Sequence, residues 1–333
     1  MTDFSAVIGE KFPHKTIVIV GDLVADQFLR GTINRVSREA PVLILRHDET
    51  ETLAGGAANA AVNAASLGAK AILIGAVGTD SNGNALLEKL RASNVNCELI
   101  VASNKIQTTT KVRVLAGQRY APRQQVIRID YENKNAIDGK ILERLKSNLL
   151  SATETADAVI ISDYNYGVAN REIATIAKQI ANDKQIPLLI DSRFCLKDFS
   201  NATTATPNQD EIEQILGADF SEADCAELRK NLGYEALLIT RGNDGMLLIE
   251  KDKPAQSFEA IGAKEPLDVT GAGDTVIAVY ALGLACGLSF AESAKLANHA
   301  GGIVVMKKGT ASVSPPELIK SVGDWLEQLA VSN

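Results

Sequence analysis

The chain has 333 residues, 46% of them hydrophobic, enough to build a large core in one big domain or two ordinary ones. Lys and Arg total 34 against 41 Asp and Glu, a formal net charge of -7, and no basic stripe is present, which argues against nucleic acid as a partner. The longest apolar stretches are too short to span a bilayer, and the start MTDFSAVIGEKFPHK has no basic region leading into an apolar run, so no membrane and no signal peptide are expected.

Cys97, Cys195, Cys225 and Cys286 are scattered and form no Cys-x-x-Cys pair. They read as free thiols, which fits a cytoplasmic protein.

Residues 16–20 (TIVIV) predict a buried strand that runs into Gly21 and Asp22. Residues 57–67 predict an Ala-rich helix closed by Gly68, whose small side chains suit close packing on a sheet. Residues 71–74 predict a strand, and 85–90 fall in the next helix. Ile137, Ile141, Leu145 and Leu149 repeat every four residues, as a helix face does. Residues 158–161, 187–190 and 236–240 read as strands, 173–180 and 276–286 as helices. This alternation predicts a mostly parallel sheet covered on both faces. In such sheets ligands gather beyond the carboxyl ends of the strands.

Two segments, 27–52 and 105–130, break the rhythm with β-branched and charged residues and no helical period. They are expected to pair into a small β-flap over the site; two long surface hairpins are the other arrangement the pattern allows.

The most informative string is DVTGAGDT, residues 268–275. Gly271, Ala272 and Gly273 open the apolar helix, where unpaired N–H groups and the helix dipole make an anion site. Asp274 places a carboxylate in the first turn beside it, and a base next to an anion hole is what transfer of a phosphoryl group to a hydroxyl requires. Ahead of the first helix, Gly55 and Gly56 allow close backbone approach to a ligand. Asn59 either meets sugar hydroxyls or is satisfied locally. Asp22 and Asp26 follow the first strand; each suits a polyol or serves a turn. Asn208 and Glu211 lie three apart, either as oxygen ligands for Mg²⁺ or as a capping box. Thr240, Gly242 and Gly245 border a turn that suits a nucleotide, a β-hairpin, or both. No Gly-x-x-x-x-Gly-Lys-Ser/Thr loop, zinc hydrolase motif or Gly-x-Ser-x-Gly elbow is present.

Together these strings, GDLVAD, AGGAAN, VGTDSNG, TPNQDE, TRGNDG and DVTGAGD, resemble the ribokinase/PfkB-type carbohydrate kinases in their order along the chain, from about Ile17 to Pro316. The stretches RVSREAPV, TTTKVRV, QQVIRID and SDYNYG are similar to heptose 7-phosphate kinases. The resemblance implies a single kinase domain over 1–333, with a ribokinase-like three-layer α/β/α sandwich, a mostly parallel sheet and a β-flap as lid. It implies ATP as phosphoryl donor with Mg²⁺, and a sugar or sugar phosphate, heptose 7-phosphate first, as acceptor. Asp274 would be the base and the amides of Gly271, Ala272 and Gly273 the anion hole. Asp26, Gly55, Gly56, Asn59 and Asp163 would hold the sugar. Asn208 and Glu211 would organise Mg²⁺ and the phosphates. Thr240, Gly242, Gly245, Asn298 and Gly309 would surround the nucleotide. Asp268 would join a K⁺ site. Lys111 and Arg113 either reach a substrate phosphate or lie on a solvated strand face. The lid would build a homodimer, and no adenylyltransferase domain is expected.

The chain departs from the heptose kinase pattern at Arg38, at Asn165 and Tyr166 where a Gly-Lys pair is usual, at Ser192 and Arg193, and by an insertion over 116–123. These changes leave open a different sugar or sugar phosphate. A non-catalytic sugar- or nucleotide-sensing module on the same fold is the reading from another class.

Overall fold

The computed structural model describes residues 2–118, 123–133, 137–262 and 265–332. The expected insertion over 116–123 lies partly outside them.

A nine-stranded sheet forms the centre. In chain order its strands are β1 (Thr16–Gly21), β4 (Lys70–Gly78), β5 (Ile100–Ser103), β8 (Ala158–Asp163), β9 (Leu188–Ser192), β10 (Thr204–Ala205), β11 (Ala236–Thr240), β12 (Met246–Glu250) and β13 (Gln256–Phe258). They lie in the order β13-β12-β11-β10-β9-β8-β1-β4-β5. All neighbours are parallel except the β11–β12 and β12–β13 pairs. Every residue of β1 and β8 is buried, as expected of parallel strands covered on both faces. Alternation does the sorting: Ile17 and Ile19 join one apolar cluster, Val18 and Val20 the other.

The first cluster lies under α1 (Ala57–Ser66), α2 (Ser81–Ala92), α7 (Ala272–Ala285), α8 (Phe290–Val304) and α9 (Pro315–Ser332). The second lies under α3 (Gly139–Ala152), α4 (Arg171–Lys184), α5 (Gln209–Leu216) and α6 (Glu222–Leu232). The result is the three-layer α/β/α arrangement. No described helix is long and apolar enough to cross a membrane.

A separate four-stranded sheet, ordered β3-β2-β6-β7, forms the lid. Its strands are β2 (Leu23–Val36), β3 (Leu43–Gly56), β6 (Thr110–Gly117) and β7 (Gln124–Tyr131). β2 pairs antiparallel with β3 and parallel with β6, which pairs antiparallel with β7. The lid begins earlier and ends later than the composition change at 27–52 suggests. Asp26, Gly55 and Gly56 are themselves lid-strand residues, with Val24 opposite Gly55 and Leu23 opposite Gly56. The buried ends of these strands look like core in the sequence, so composition marks only their exposed middles.

The chain leaves β1 in one direction toward β4 and β5 and returns to β8 on its other side. That reversal opens a crevice beyond the carboxyl ends of the strands. Asp22, Asp163, Asp191, Thr206 and Thr240 all stand at those ends.

Candidate active site

Helix α7 starts at Ala272, and Gly271 at its N-cap has φ 79° and ψ 9°, a left-handed conformation. A side chain at Gly271 would also bring its Cβ within 2.4 Å of the Asn59 amide nitrogen. Glycine is required there on both counts. Residues Asp274 to Gly283 are buried without interruption, so Asp274 is carried into the protein by an apolar helix.

Two donors hold the Asp274 carboxylate: Asn59 Nδ2 at 2.9 Å to Oδ2 and Tyr164 Oη at 2.9 Å to Oδ1. Asn63 donates to Asn59 Oδ1 at 3.2 Å, which fixes the orientation of the Asn59 amide. Burial drives the Asp274 pKa up to about 7, with the Asn59 and Tyr164 hydrogen bonds and the Arg193 charge working against it. A carboxyl group near neutrality has the driving force to take a proton from an alcohol. Asn59, expected to meet sugar hydroxyls, instead commits its nitrogen to Asp274 and to the Gly271 carbonyl at 3.2 Å. It orients the Asp274 carboxylate.

The three amides expected to form the anion hole differ. Gly271 and Gly273 line the same cavity as Asp274. The Ala272 N–H donates to the Val269 carbonyl at 3.2 Å, and Ala272 faces a neighbouring groove.

The cavity holds about 320 Å³ and lies between the lid and the strand ends. From the lid come Asp26, Lys111, Arg113 and Arg128; from the strand ends come Asp163, Tyr164, Asp191 and Arg193. Asp26 and Arg113 form a buried ion pair, and Arg113 also stacks over the Phe28 ring at 5.4 Å. Gly55 makes room for that pair: a Cβ there would lie 2.4 Å from Asp26 Oδ2. Gly56 has φ 60° and faces the Tyr164 ring. Lys111 Nζ donates to Tyr166 Oη at 2.8 Å and lies 3.5 Å from Asp130. Burial lowers the Lys111 pKa, opposed by the charge of Asp130. Lys111 and Arg113 are therefore interior groups, which removes the solvated-face reading.

Asp22 does not line this cavity. Its carboxylate accepts the backbone N–H groups of Tyr164 and Tyr166, both at 2.9 Å, and of Val168 at 3.0 Å. Burial raises its pKa to about 6 against those three bonds. Asp22 is thus the anchor of the loop that carries Tyr164. Asp163 is committed too, accepting from Asn165 N–H at 2.8 Å and Ser192 Oγ at 2.7 Å, although it borders the cavity.

Asn208 and Glu211 form a full capping box on α5: Asn208 Oδ1 accepts the Glu211 N–H at 2.8 Å, and Glu211 Oε2 accepts the Asn208 N–H at 2.9 Å. Both also line the cavity with Asp274. The box occupies one Glu211 oxygen and leaves the other. Burial raises the Glu211 pKa, and it raises that of Asp191 well above the carboxylate range, with the charges of Asp274, Glu211 and Asp163 adding to it. Crowded oxygens of this kind gain from a bound cation.

Thr240, Gly242, Gly245 and Asn298 line an adjoining groove with Ala272, Gly273 and Val276. The turn is also the β11–β12 hairpin, the second of the arrangements the sequence allows. At Gly245, φ is 77° and a Cβ would lie 1.9 Å from the Phe258 carbonyl. Gly309 is not in that groove. Its N–H donates to Asp268 Oδ2 at 2.9 Å, and it borders a lid-side cavity with Phe28, Asp268 and Thr270. Asp268 also accepts from the Thr270 N–H at 3.0 Å; burial raises its pKa, but these bonds outweigh burial and hold it below the usual range.

Several cavity residues carry no motif of their own. Arg128 sits on β7 in period-two alternation with Val126 and Asp130, a pattern that says which face it takes but not what lies there. Asp191 and Arg193 were detectable by their place after the strand at 187–190.

Residues 15–317 match the family described as pfkB family carbohydrate kinase. The chain is 38% identical over 316 residues to the Bifunctional protein HldE of Hahella chejuensis, an alignment covering 93% of this chain and 64% of that protein, so it spans less than two thirds of that relative. Among solved structures, Arabidopsis thaliana ribokinase complexed with ribose and ATP superposes with a TM-score of 0.69 at 20% identity, covering 92% of this chain and 98% of that one. Phosphofructokinase-2 from Escherichia coli in complex with substrates and products gives a TM-score of 0.74 at 17% identity, covering 93% and 99%. At such identities the two structures establish a shared fold, and the family match over most of the sequence adds the lineage. The chain belongs to the pfkB family of carbohydrate kinases.

Proposed function

We propose that the chain transfers the γ-phosphoryl group of ATP to a hydroxyl of a sugar phosphate, with heptose 7-phosphate as the first acceptor to test. The carrying observation is the Asp274 carboxyl, buried, raised to about 7 and held by Asn59 and Tyr164 beside Gly271 and Gly273. The acceptor occupies the lid side of the cavity, where Lys111, Arg113 and Arg128 favour an anionic sugar. The triphosphate enters from the Thr240 groove, with its terminal phosphate at the Gly271 and Gly273 amides. Asp274 takes the hydroxyl proton as the oxygen attacks in line, and positioning with electrostatics supplies most of the acceleration. The lid keeps water from competing as acceptor.

Mg²⁺ fits the donor set. Glu211, Asp191 and Asn208 offer oxygens, and no group of three or more His, Cys, Asp or Glu among the described residues forms a dedicated cage. One or two carboxylates plus phosphate oxygens and water is the usual arrangement for this ion. It would neutralise charge on the phosphates. A K⁺ requirement at the Asp268 loop is a further expectation; one phosphofructokinase-2 structure of this fold is described as in complex with potassium.

An ATP-consuming reaction fits a cytoplasmic protein. The outer face of β7 exposes Ile127, Ile129 and Tyr131 at 53%, 41% and 43%, an apolar strip that suits pairing of two lids into a homodimer. The different-sugar reading draws on Tyr166, whose ring stands where heptose kinases carry lysine. A coupled ADP-release assay with heptose 7-phosphate, fructose phosphates, ribose and nucleosides decides between them. Failure of every acceptor would refute the kinase reading and favour a sensing module.

A further inference from the structure

Arg193 follows β9, is exposed, and lines the cavity that Asp274, Asn208 and Glu211 also line. Its guanidinium lies 6.0 Å from the Tyr164 ring centre and 5.9 Å from that of Phe194. Two aromatic faces thus seat a planar group with donors in a rigid fork. Tyr164 is also the residue that donates to Asp274, so one side chain seats the cation and orients the base.

The other cavity cations are already engaged. Lys111 and Arg128 pair with Asp130, and Arg113 pairs with Asp26. Arg193 makes no ion pair among the described residues. It nevertheless stands among the carboxylates of Asp191, Asp274 and Glu211, and its charge acts on all three. A cation held by rings rather than by a carboxylate keeps its donors for an incoming anion. It lines the same cavity as Gly271 and Gly273, where the terminal phosphate is placed above.

We infer that Arg193 is a further catalytic residue, one that binds the γ-phosphoryl oxygens while the group is in flight. This rests on the kinase reading. In that step the acceptor oxygen forms a bond to the γ-phosphorus and its proton passes to Asp274. The bond from phosphorus to the β–γ bridging oxygen breaks, and ADP leaves with the electron pair. Arg193 neutralises charge on the transferring oxygens, which is worth most in the transition state.

The test compares Arg193→Met and Arg193→Lys with the wild-type chain, by steady-state kinetics and by isothermal titration of MgATP. The expected result is a kcat lower by about 10²–10³-fold in Arg193→Met, the usual cost of removing one such donor, with MgATP affinity little changed. Arg193→Lys recovers part of the loss, since a point charge replaces a fork. The acid limb of the pH profile moves upward in Arg193→Met, because the charge lost there favoured ionised Asp274. Near wild-type turnover in Arg193→Met overturns the inference. So does a loss that resides wholly in MgATP affinity, which makes Arg193 a ground-state nucleotide ligand. A wild-type chain that releases no ADP with any acceptor removes the kinase reading and this inference together; which protein is inactive tells the two failures apart.

Discussion

The Asn59 amide donates to the Asp274 carboxylate at 2.9 Å across 215 positions of sequence. One residue lies in the first turn of α1, the other in the first turn of α7, and the lid begins between β1 and α1. The Asp274 carboxylate is therefore oriented on one oxygen by a helix against which its own helix packs, and on the other by Tyr164 from the loop after β8.

Replacing Asp274 by Asn removes the proposed base and keeps the shape. The kcat of Asp274→Asn should fall by about two to four powers of ten, the usual range for a general base, while MgATP still binds. Stability should move the other way. The pKa of Asp274 rises from 3.8 to about 7 on folding, so the native state holds a proton that the unfolded chain releases. Its favourable contribution is complete below the unfolded value and is lost as pH rises through the folded value. Asp274→Asn should therefore melt higher than wild type at pH 8, and the gain should shrink as pH is lowered toward 5. Calorimetry at several pH values reads this; a variant less stable at pH 8 would contradict it.

Asn59 and Tyr164 stabilise the ionised form of Asp274. Without either donor the carboxyl becomes harder to ionise, so Asp274 is protonated over more of the pH range. In Asn59→Ala and Tyr164→Phe the acid limb of kcat/KM, expected near 7 in the wild type, should shift upward. Activity at pH 7 should drop more than activity at pH 9. A loss of the same factor at every pH would mean that these residues only hold the fold.

Asp22 serves three amides with one carboxylate. Asn in its place keeps a single acceptor oxygen and turns an NH₂ toward at least one of those donors. Leaving a buried donor without a partner costs about 1–3 kcal/mol. Asp22→Asn should lose about that much stability in urea unfolding. It should also lose activity, since the loop it anchors carries Tyr164.

Much of this site is legible in sequence because helix starts and strand ends carry local signatures. Gly271 is required by a left-handed φ, and the two strings around it and Gly55 announce close backbone approach. The parallel core shows itself in the apolar runs of β1 and β8. The Asn59–Asp274 bond carries no such mark, because nothing local to either residue specifies a partner 215 positions away. Asp22 and Asp26 look alike on the page, four residues apart; only the fold sends one to the loop after β8 and pairs the other with Arg113. Gly309 shows a similar limit: a glycine with φ 70° marks a turn, and tertiary packing decides that the turn faces Phe28 and Asp268 instead of the Thr240 groove.

Tyr166 joins the body of the protein to the lid. Its N–H donates to Asp22, its hydroxyl accepts from Lys111 on β6, and that hydroxyl donates to Glu132 just beyond β7 at 2.8 Å. The ring also lies 5.4 Å from the Lys111 ammonium. Tyr166→Phe keeps the ring and the backbone bond and deletes only the bridge. Lys111 would then be less well placed for an anionic acceptor, while Asp274 would be untouched. One hydrogen bond to a charged group is worth about 1.5–3 kcal/mol, so KM for a sugar phosphate should rise by about 10-fold or more with kcat within about twofold. The same variant should treat an unphosphorylated sugar almost as wild type does, because that acceptor presents no charge for Lys111 to meet. Equal losses for both acceptors would show that the Tyr166 bridge holds the lid in place rather than the lysine.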